Sequence, residues 1–504
     1  MKSGRRSIIT GILLLTMILA LTAGCTGPGG ESPASPSSPA VTASETIAPA
    51  TPATPAVSDT LCPSLVFTDP EFAFELRRTM GAAYAGEADI GECLATASRI
   101  REGDFESWYR EWMQTADAFR TAGDESLAAG HRVSAMEAYY RAATYYRTAE
   151  FFLHGNPADP RIVETWNESR EAFRDALALD DVPYECVAIP YENTTLPGYV
   201  YMVDRSGTPR PLLIIQTGFD GCQEELHPYA MEGIRRGYNV LTFEGPGQGE
   251  VIRVQEIPFR SDWEHVITPV VDYAVSRPDV DEDRIALWGI SLGGYLAPRG
   301  AAYEPRISAL IADGGTYDVG QTLLRNLQDG GGAPANITEA DLQEWLRTDP
   351  AEFNDALRGA MADDTSTRWL NENGMFVFGV TSPAQFWARW MDFSLEGSAE
   401  HIRCPTLVCA GAADHFDPDG TQAQALYDHL TYERELMVFS DEYGAGSHCQ
   451  LGAFGQSFGA KFDWLDDEMG GGVKMKGVCF LGGCIITKIK KQKRNDILNS
   501  LLIN

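Results

Sequence analysis

Ile285 to Trp288 is a short, wholly apolar run that leads straight into Gly289-Ile290-Ser291-Leu292-Gly293, with a further glycine, Gly294, behind it. Such a run reads as a strand buried on both faces. The glycines permit a strand-to-helix turn too tight for a Cβ. The turn lifts the Ser291 hydroxyl above the end of the sheet and points the Leu292 amide at the same space. A chain built around this unit must alternate strands with helices.

Beyond Asp180 the sequence has that alternation. Strand candidates run from Tyr184 to Ile189, Tyr199 to Val203, Leu212 to Gln216, Asn239 to Phe243, Ile285 to Trp288, Ala309 to Ala312, Thr406 to Cys409 and Leu436 to Phe439. With helical stretches between them, these predict an α/β fold with a mostly parallel eight-stranded sheet over residues 181–469. A helical stretch at about 316–401, holding Trp345, Trp369, Trp387 and Trp390, is expected as an insertion over the sheet's carboxyl edge, before the last two strands. Residues 61–180 are rich in helix formers. Their aromatics fall at helical spacing, as in Phe105, Trp108, Tyr109 and Trp112 and again in Tyr139, Tyr140, Tyr145 and Tyr146. No fixed period repeats, so these read as the core of a helical N-terminal domain.

The two ends differ from this body. Lys2, Arg5 and Arg6 precede an apolar run from Ile8 to Leu21, then Thr22-Ala23-Gly24-Cys25. This reads as an export signal over residues 1–25. Its end resembles a prokaryotic lipobox, with Thr22 where leucine is usual, so Cys25 is the expected lipidation site. The chain is then expected to be anchored to the outer face of the cell membrane; an ordinary cleaved signal and free secretion are the alternative. The apolar run is shorter than the roughly 20 residues needed to span a bilayer. Residues 26–60, mostly Pro, Ser, Thr and Ala, cannot bury enough surface to fold and read as a disordered spacer. Export permits disulfides, and Cys62 with Cys93 is the expected pair. No CxxC spacing occurs among Cys186, Cys222, Cys404, Cys409 and Cys449, so no structural zinc is expected. No lysine lies between Lys2 and Lys461, yet Lys474, Lys476, Lys488, Lys490, Lys491 and Lys493 crowd residues 470–504, an atypical tail. The formal charge of −31 would repel nucleic acid and anionic membrane surfaces alike, which leaves a lipid anchor as the expected membrane contact.

A serine hydroxyl needs a base, and the base needs an acid to fix its tautomer. Gly444-Ala445-Gly446-Ser447-His448 follows the last strand in a flexible loop, which favours His448 as the base. Asp414, after Gly411-Ala412-Ala413, is the favoured acid; Asp417 competes in the same loop, where one of the two can cap the next helix. The Phe219 amide, within Thr217-Gly218-Phe219-Asp220-Gly221, is the candidate second oxyanion donor beside Leu292, with the Asp220 amide the alternate. Gly245-Pro246-Gly247-Gln248-Gly249 lacks the Lys-Ser/Thr of a phosphate loop and reads as a rigid turn lining the site.

Taken together, Gly218 to Glu225, Phe243 to Glu250, Trp288 to Gly294, Gly411 to Pro418 and Gly446 to Cys449 resemble the α/β-hydrolase superfamily over about residues 100 to 465. The likeness is to the branch with a helical N-terminal domain: dihydroxypseudooxynicotine hydrolase, the FrsA-like esterases and fungal polyketide-shortening hydrolases. Prolyl oligopeptidase-type catalytic domains are similar too. In carbon–carbon-cleaving members of this branch an acid in the loop after the third strand assists, and the resemblance puts Asp220 in that place.

The resulting expectation is a serine hydrolase that cleaves an ester or a ketone-like C–C bond by way of Ser291, Asp414 and His448. It needs no cofactor or metal and takes a small substrate with an apolar or aromatic acyl group. An exopeptidase and a lipid-anchored, non-catalytic binding protein are the alternatives, and the helical domain is a candidate homodimer surface.

Overall fold

The computed structural model describes residues 65–329, 336–348, 350–470 and 486–489. The expected signal, spacer, Cys25 and Cys62 lie outside them. Among the described residues five helices precede the sheet: α1 (Pro70–Gly81), α2 (Ile90–Ala97), α3 (Phe105–Ala128), α4 (Arg132–Glu150) and α5 (Pro160–Leu179). Asp69, Asp89, Asp104 and Asp159 cap four of them, each carboxylate accepting a first-turn amide, and Pro70 and Pro160 fill first-turn positions where a missing N–H costs nothing. Trp108, Trp112, Tyr139, Tyr140, Tyr145 and Tyr146 are all buried. Cys93 is a buried free thiol rather than half of a disulfide; packed in this core, its pKa is pushed up to about 12 by burial.

The sheet has the order β1-β2-β4-β3-β5-β6-β7-β8-β9. Its strands are β1 (Tyr184–Tyr191), β2 (Thr194–Tyr201), β3 (Arg210–Gln216), β4 (Asn239–Phe243), β5 (Val280–Ile290), β6 (Ile307–Asp313), β7 (Thr406–Gly411), β8 (Arg434–Phe439) and β9 (Ile486–Ile489). β3 to β8 run parallel, and β1, β2 and β9 close the edges antiparallel. All eight expected strands are present. Two details differ. β2 begins and ends earlier than expected, because a two-residue turn with Glu192 at φ 45 fixes the pairing Tyr191↔Thr194 and the ladder runs out at Tyr184↔Tyr201. The tail, set apart in the sequence reading, supplies β9 along the edge of β8, where unpaired backbone groups accept an extended segment.

Helices α6 (His227–Arg235), α7 (Gly249–Arg253), α8 (Glu264–Val275) and α9 (Gly293–Ala301) alternate with the strands. Between β6 and β7 lie α10 (Val319–Asp329), α11 (Glu339–Thr348), α12 (Pro350–Asp363), α13 (Thr365–Val377) and α14 (Pro383–Trp390). Part of this insertion has its own small core around Leu342, Trp345 and Phe353, while Trp369, Phe376 and Phe386 join the main core. Between β7 and β8 lies α15 (Thr421–His429), and α16 (Phe454–Met469) follows β8. Among the described residues no helix is long and apolar enough to cross a membrane.

Lys461, on α16, is fully buried and pairs with the Asp313 carboxylate at the end of β6 and with Gln450, between the rings of Trp288 and Phe439 at 5.4 and 5.3 Å. A buried charge left without its partner is strongly destabilising. Lys461→Met is therefore expected to lower unfolding free energy by about 3 to 5 kcal/mol in urea titration, with part of the loss recovered in Lys461→Met/Asp313→Asn.

Candidate active site

β5 ends at Ile290, and Ser291, next in the chain, has φ 63, a left-handed conformation rare for a side chain with a Cβ. Such a residue costs about 1 to 3 kcal/mol. Two backbone bonds offset this: Ser291 N–H donates to Asp313 O at 2.9 Å, and Gly294 N–H donates to Ser291 O at 2.7 Å. Gly289 is required here, because a Cβ on it would stand 2.0 Å from the Gly293 carbonyl oxygen. The turn therefore exists as the sequence demands, with α9 beginning at Gly293.

The loop after β8 brings His448 onto this serine. The Ser291 hydroxyl donates to His448 Nε2 at 2.8 Å, and His448 Nδ1–H donates to Asp414 Oδ2 at 2.7 Å. Asp414 follows β7 and is buried, as is His448. Burial pushes the imidazole pKa down, but the Asp414 carboxylate more than reverses this and holds it well above the usual histidine value. Burial likewise raises the Asp414 carboxyl, and the His448 charge and hydrogen bond override it to leave that pKa low. This arrangement can take a proton from Ser291 and keep the resulting imidazolium stable. Asp417 stands apart from it: its carboxylate accepts Gln422 N–H and Ala423 N–H at 3.0 and 3.2 Å and caps α15.

The Phe219 and Leu292 amides donate to no other group among the described residues. Gly218 lies against the serine turn so closely that a Cβ on it would be 2.5 Å from Leu292 N, which brings the two loops to one space above Ser291. The Phe219 ring packs 4.5 Å from that of Trp390 on α14, so the insertion holds this loop in place. The Gly245 to Gly249 turn lies behind the loop and is absent from the cavity wall, contrary to the expectation that it lines the site. Gln248 Nε2 donates to Thr217 O and Gly218 O, each at 3.0 Å, so the turn braces the loop from the rear.

A cavity of about 680 Å³ opens over Ser291 and His448, within the range of small-molecule sites. Phe219, Phe353, Trp369, Trp387 and Trp390 form apolar walls, and α1 contributes Glu71, Phe74, Arg77 and Arg78. Asp220 is in the wall too, where Arg78 Nη1 donates to its Oδ2 at 2.7 Å. Arg78 also pairs with Glu225 and Glu75, and Arg147 with Glu75 at 3.0 Å and with Glu225. Burial alone would raise the Glu225 carboxyl; Arg147 and Arg78 hold its pKa instead at about 2. Burial, with Glu75 nearby, lifts Glu71 well above the carboxylate range. Sequence reasoning missed this helical contribution, since Arg78 and Glu225 lie far apart along the chain and no local pattern marks their meeting.

Cys222, Glu224 and Glu244 place three donor atoms within 4.8 Å of one another. Burial and the neighbouring Glu224 raise the Glu244 carboxyl to about 8, and burial raises Glu224. Glu244 accepts Glu250 N–H at 2.7 Å and Glu224 accepts the Tyr199 hydroxyl at 2.9 Å.

Comparison with known proteins agrees with this architecture. The family described as "Alpha/beta hydrolase family" matches residues 218–449, and that described as "Esterase FrsA-like" matches residues 76–326. The 20-hydroxy-prefusarin hydrolase of Gibberella moniliformis is 36% identical over 417 residues, covering 80% of this chain and 97% of the relative. A hydrolase of Aspergillus aculeatus is 34% identical over 430 residues, covering 79% of this chain and 96% of its own. The crystal structure of 2,6-dihydroxy-pseudo-oxynicotine hydrolase shares the fold, with a TM-score of 0.58 at 22% identity over 79% of this chain and 97% of that one. The chain is a hydrolase and belongs to the alpha/beta hydrolase family.

Proposed function

We propose that the protein is a serine hydrolase that cleaves an ester, or a ketone-like C–C bond, through an acyl-enzyme on Ser291. The observation that carries this reading is the unbroken chain Ser291–His448–Asp414, at 2.8 and 2.7 Å, at the floor of the cavity. Ser291 Oγ attacks the scissile carbonyl as His448 Nε2 takes its proton. The Phe219 and Leu292 amides receive the oxygen's developing charge, each contributing about 3 kcal/mol or more. His448 then hands the proton to the leaving oxygen or carbon, and water repeats the sequence to release the acid. The aromatic walls favour an apolar or aromatic acyl group. In C–C cleavage Asp220, paired with Arg78, is the assisting acid next to the leaving group.

Turnover of 4-nitrophenyl butyrate and of a β-diketone panel tests this. Ser291→Ala is expected to abolish both burst and turnover, and Asp414→Asn to lower kcat by about 10⁴ by losing the tautomer of His448. Retained turnover in folded Ser291→Ala would refute the reading. The pH profile follows from the raised His448 pKa. The neutral, basic imidazole accumulates only as pH rises through that value, so kcat/KM is expected to climb with a midpoint above 6.5. In Asp414→Asn the midpoint is expected to fall, because the charge that holds the proton is gone.

We further propose that Cys25 carries a lipid anchor, supported by the run from Arg5 to Cys25. In cells of a bacterial host the wild type is expected in the membrane fraction and Cys25→Ala in the soluble exported fraction. Equal partition of the two would refute the anchor.

A further inference from the structure

The cavity-facing stripe of α1 carries two adjacent arginines with opposite electrostatic situations. Arg78 is saturated: Glu75, Asp220 and Glu225 all lie within ion-pair distance. Two of these acids, Glu75 and Glu225, also pair with Arg147. Arg77 lines the same cavity, yet among the described residues no carboxylate lies within ion-pair distance of it. Arg77 Nη1 instead donates a hydrogen bond to Ser447 Oγ at 3.2 Å, beside His448. Its side-chain stem runs along the His448 loop, since a Cβ on Gly452 would stand 3.1 Å from Arg77 Cγ. In a chain with 71 acids against 40 basic residues, a guanidinium left unmatched in an apolar cavity is out of keeping with the pairing of its neighbours.

Its position also works against the chemistry unless something cancels it. His448 becomes cationic during attack, and a second cation beside its loop raises the cost of that step. An anionic oxygen group on the substrate, bound to Arg77, would remove the penalty. Arg77 sits on the His448 side of the cavity, and His448 delivers the proton to the leaving group, so the anion belongs to the departing half of the substrate.

We propose that Arg77 forms a subsite for a carboxylate on the leaving-group portion of the substrate. The proposal rests on Ser291 and His448 acting as nucleophile and base. A planar guanidinium binds such a group with directed, charge-assisted hydrogen bonds, and Ser447 orients it.

The test compares two esters that differ in one group, 3-(butanoyloxy)benzoate and 3-(butanoyloxy)benzamide, on wild type, Arg77→Gln and Arg77→Lys. The readout is the ratio of their kcat/KM values. Wild type is expected to favour the benzoate by about tenfold or more, the scale of one charge-assisted hydrogen bond. The ratio is expected to fall to about one in Arg77→Gln and to stay intermediate in Arg77→Lys. A purely structural clamp on the Ser447 loop would slow both esters by the same factor and leave the ratio unchanged, which would overturn the proposal. A wild-type ratio of one or less would do the same.

A second readout does not need turnover: 3-hydroxybenzoate should slow fluorophosphonate labelling of wild type more than 3-hydroxybenzamide does, and the difference should vanish in Arg77→Gln. Equal protection by the two compounds in wild type also overturns the subsite, while leaving the nucleophile reading intact. Absence of any labelling of folded wild type removes the nucleophile reading and the subsite with it.

Discussion

Everything at this site hangs on one strained residue. Ser291 is held in the left-handed region at φ 63 because β5 must turn into α9 within a single step, and the local chain cannot relax without moving the hydroxyl off its position. The strain is stabilised from the next strand, where the Asp313 carbonyl takes the Ser291 amide at 2.9 Å. The same carbonyl accepts the Cys449 thiol at 3.6 Å, so the serine turn and the histidine loop share one anchor. Beneath it the Asp313 carboxylate is neutralised by Lys461. Geometry at Ser291 is thus fixed by a buried charge pair, a strand end and two loops that meet there.

The α/β core carries Ser291, Asp414 and His448, and the two helical parts wall the cavity over them. α1 brings Phe74, Arg77 and Arg78 over the serine, and α13 and α14 bring Trp369, Trp387 and Trp390 from the other side. Phe219 links the two parts, following Gly218 at the serine turn and packing its ring against Trp390. Movement of the insertion would therefore disturb the Phe219 loop as well as the apolar wall. Arg78 on α1 is matched to Asp220 and Glu225, acids of the loop after β3. That pairing ties α1 to the loop after β3.

Much of this was legible in the sequence because it is local. The turn at Ser291, the eight strands and the positions of Asp414 and His448 after β7 and β8 each rest on a few consecutive residues whose chemistry allows little else. Asp417 shows the limit of that logic, since the same loop offers two acids and only packing reveals that one of them caps α15. The Gly245 to Gly249 turn was read as wall, yet it supports the loop from behind through Gln248; glycine content announces a turn but not the direction it faces. Arg77, Arg78 and Lys461 left no signal because Ser447, Asp220 with Glu225, and Asp313 lie 142 to 370 residues from them along the chain. β9 was illegible for a different reason: pairing to an open strand edge asks almost nothing of side chains.

The central claim is that Ser291 is an activated nucleophile. It is tested most directly by treating the folded protein with a fluorophosphonate, measuring intact mass and mapping the modified peptide. The account requires one adduct per chain, on Ser291, formed rapidly in wild type and lost in His448→Ala. A folded wild type that stays unmodified, or an adduct on another residue that persists without His448, would contradict it.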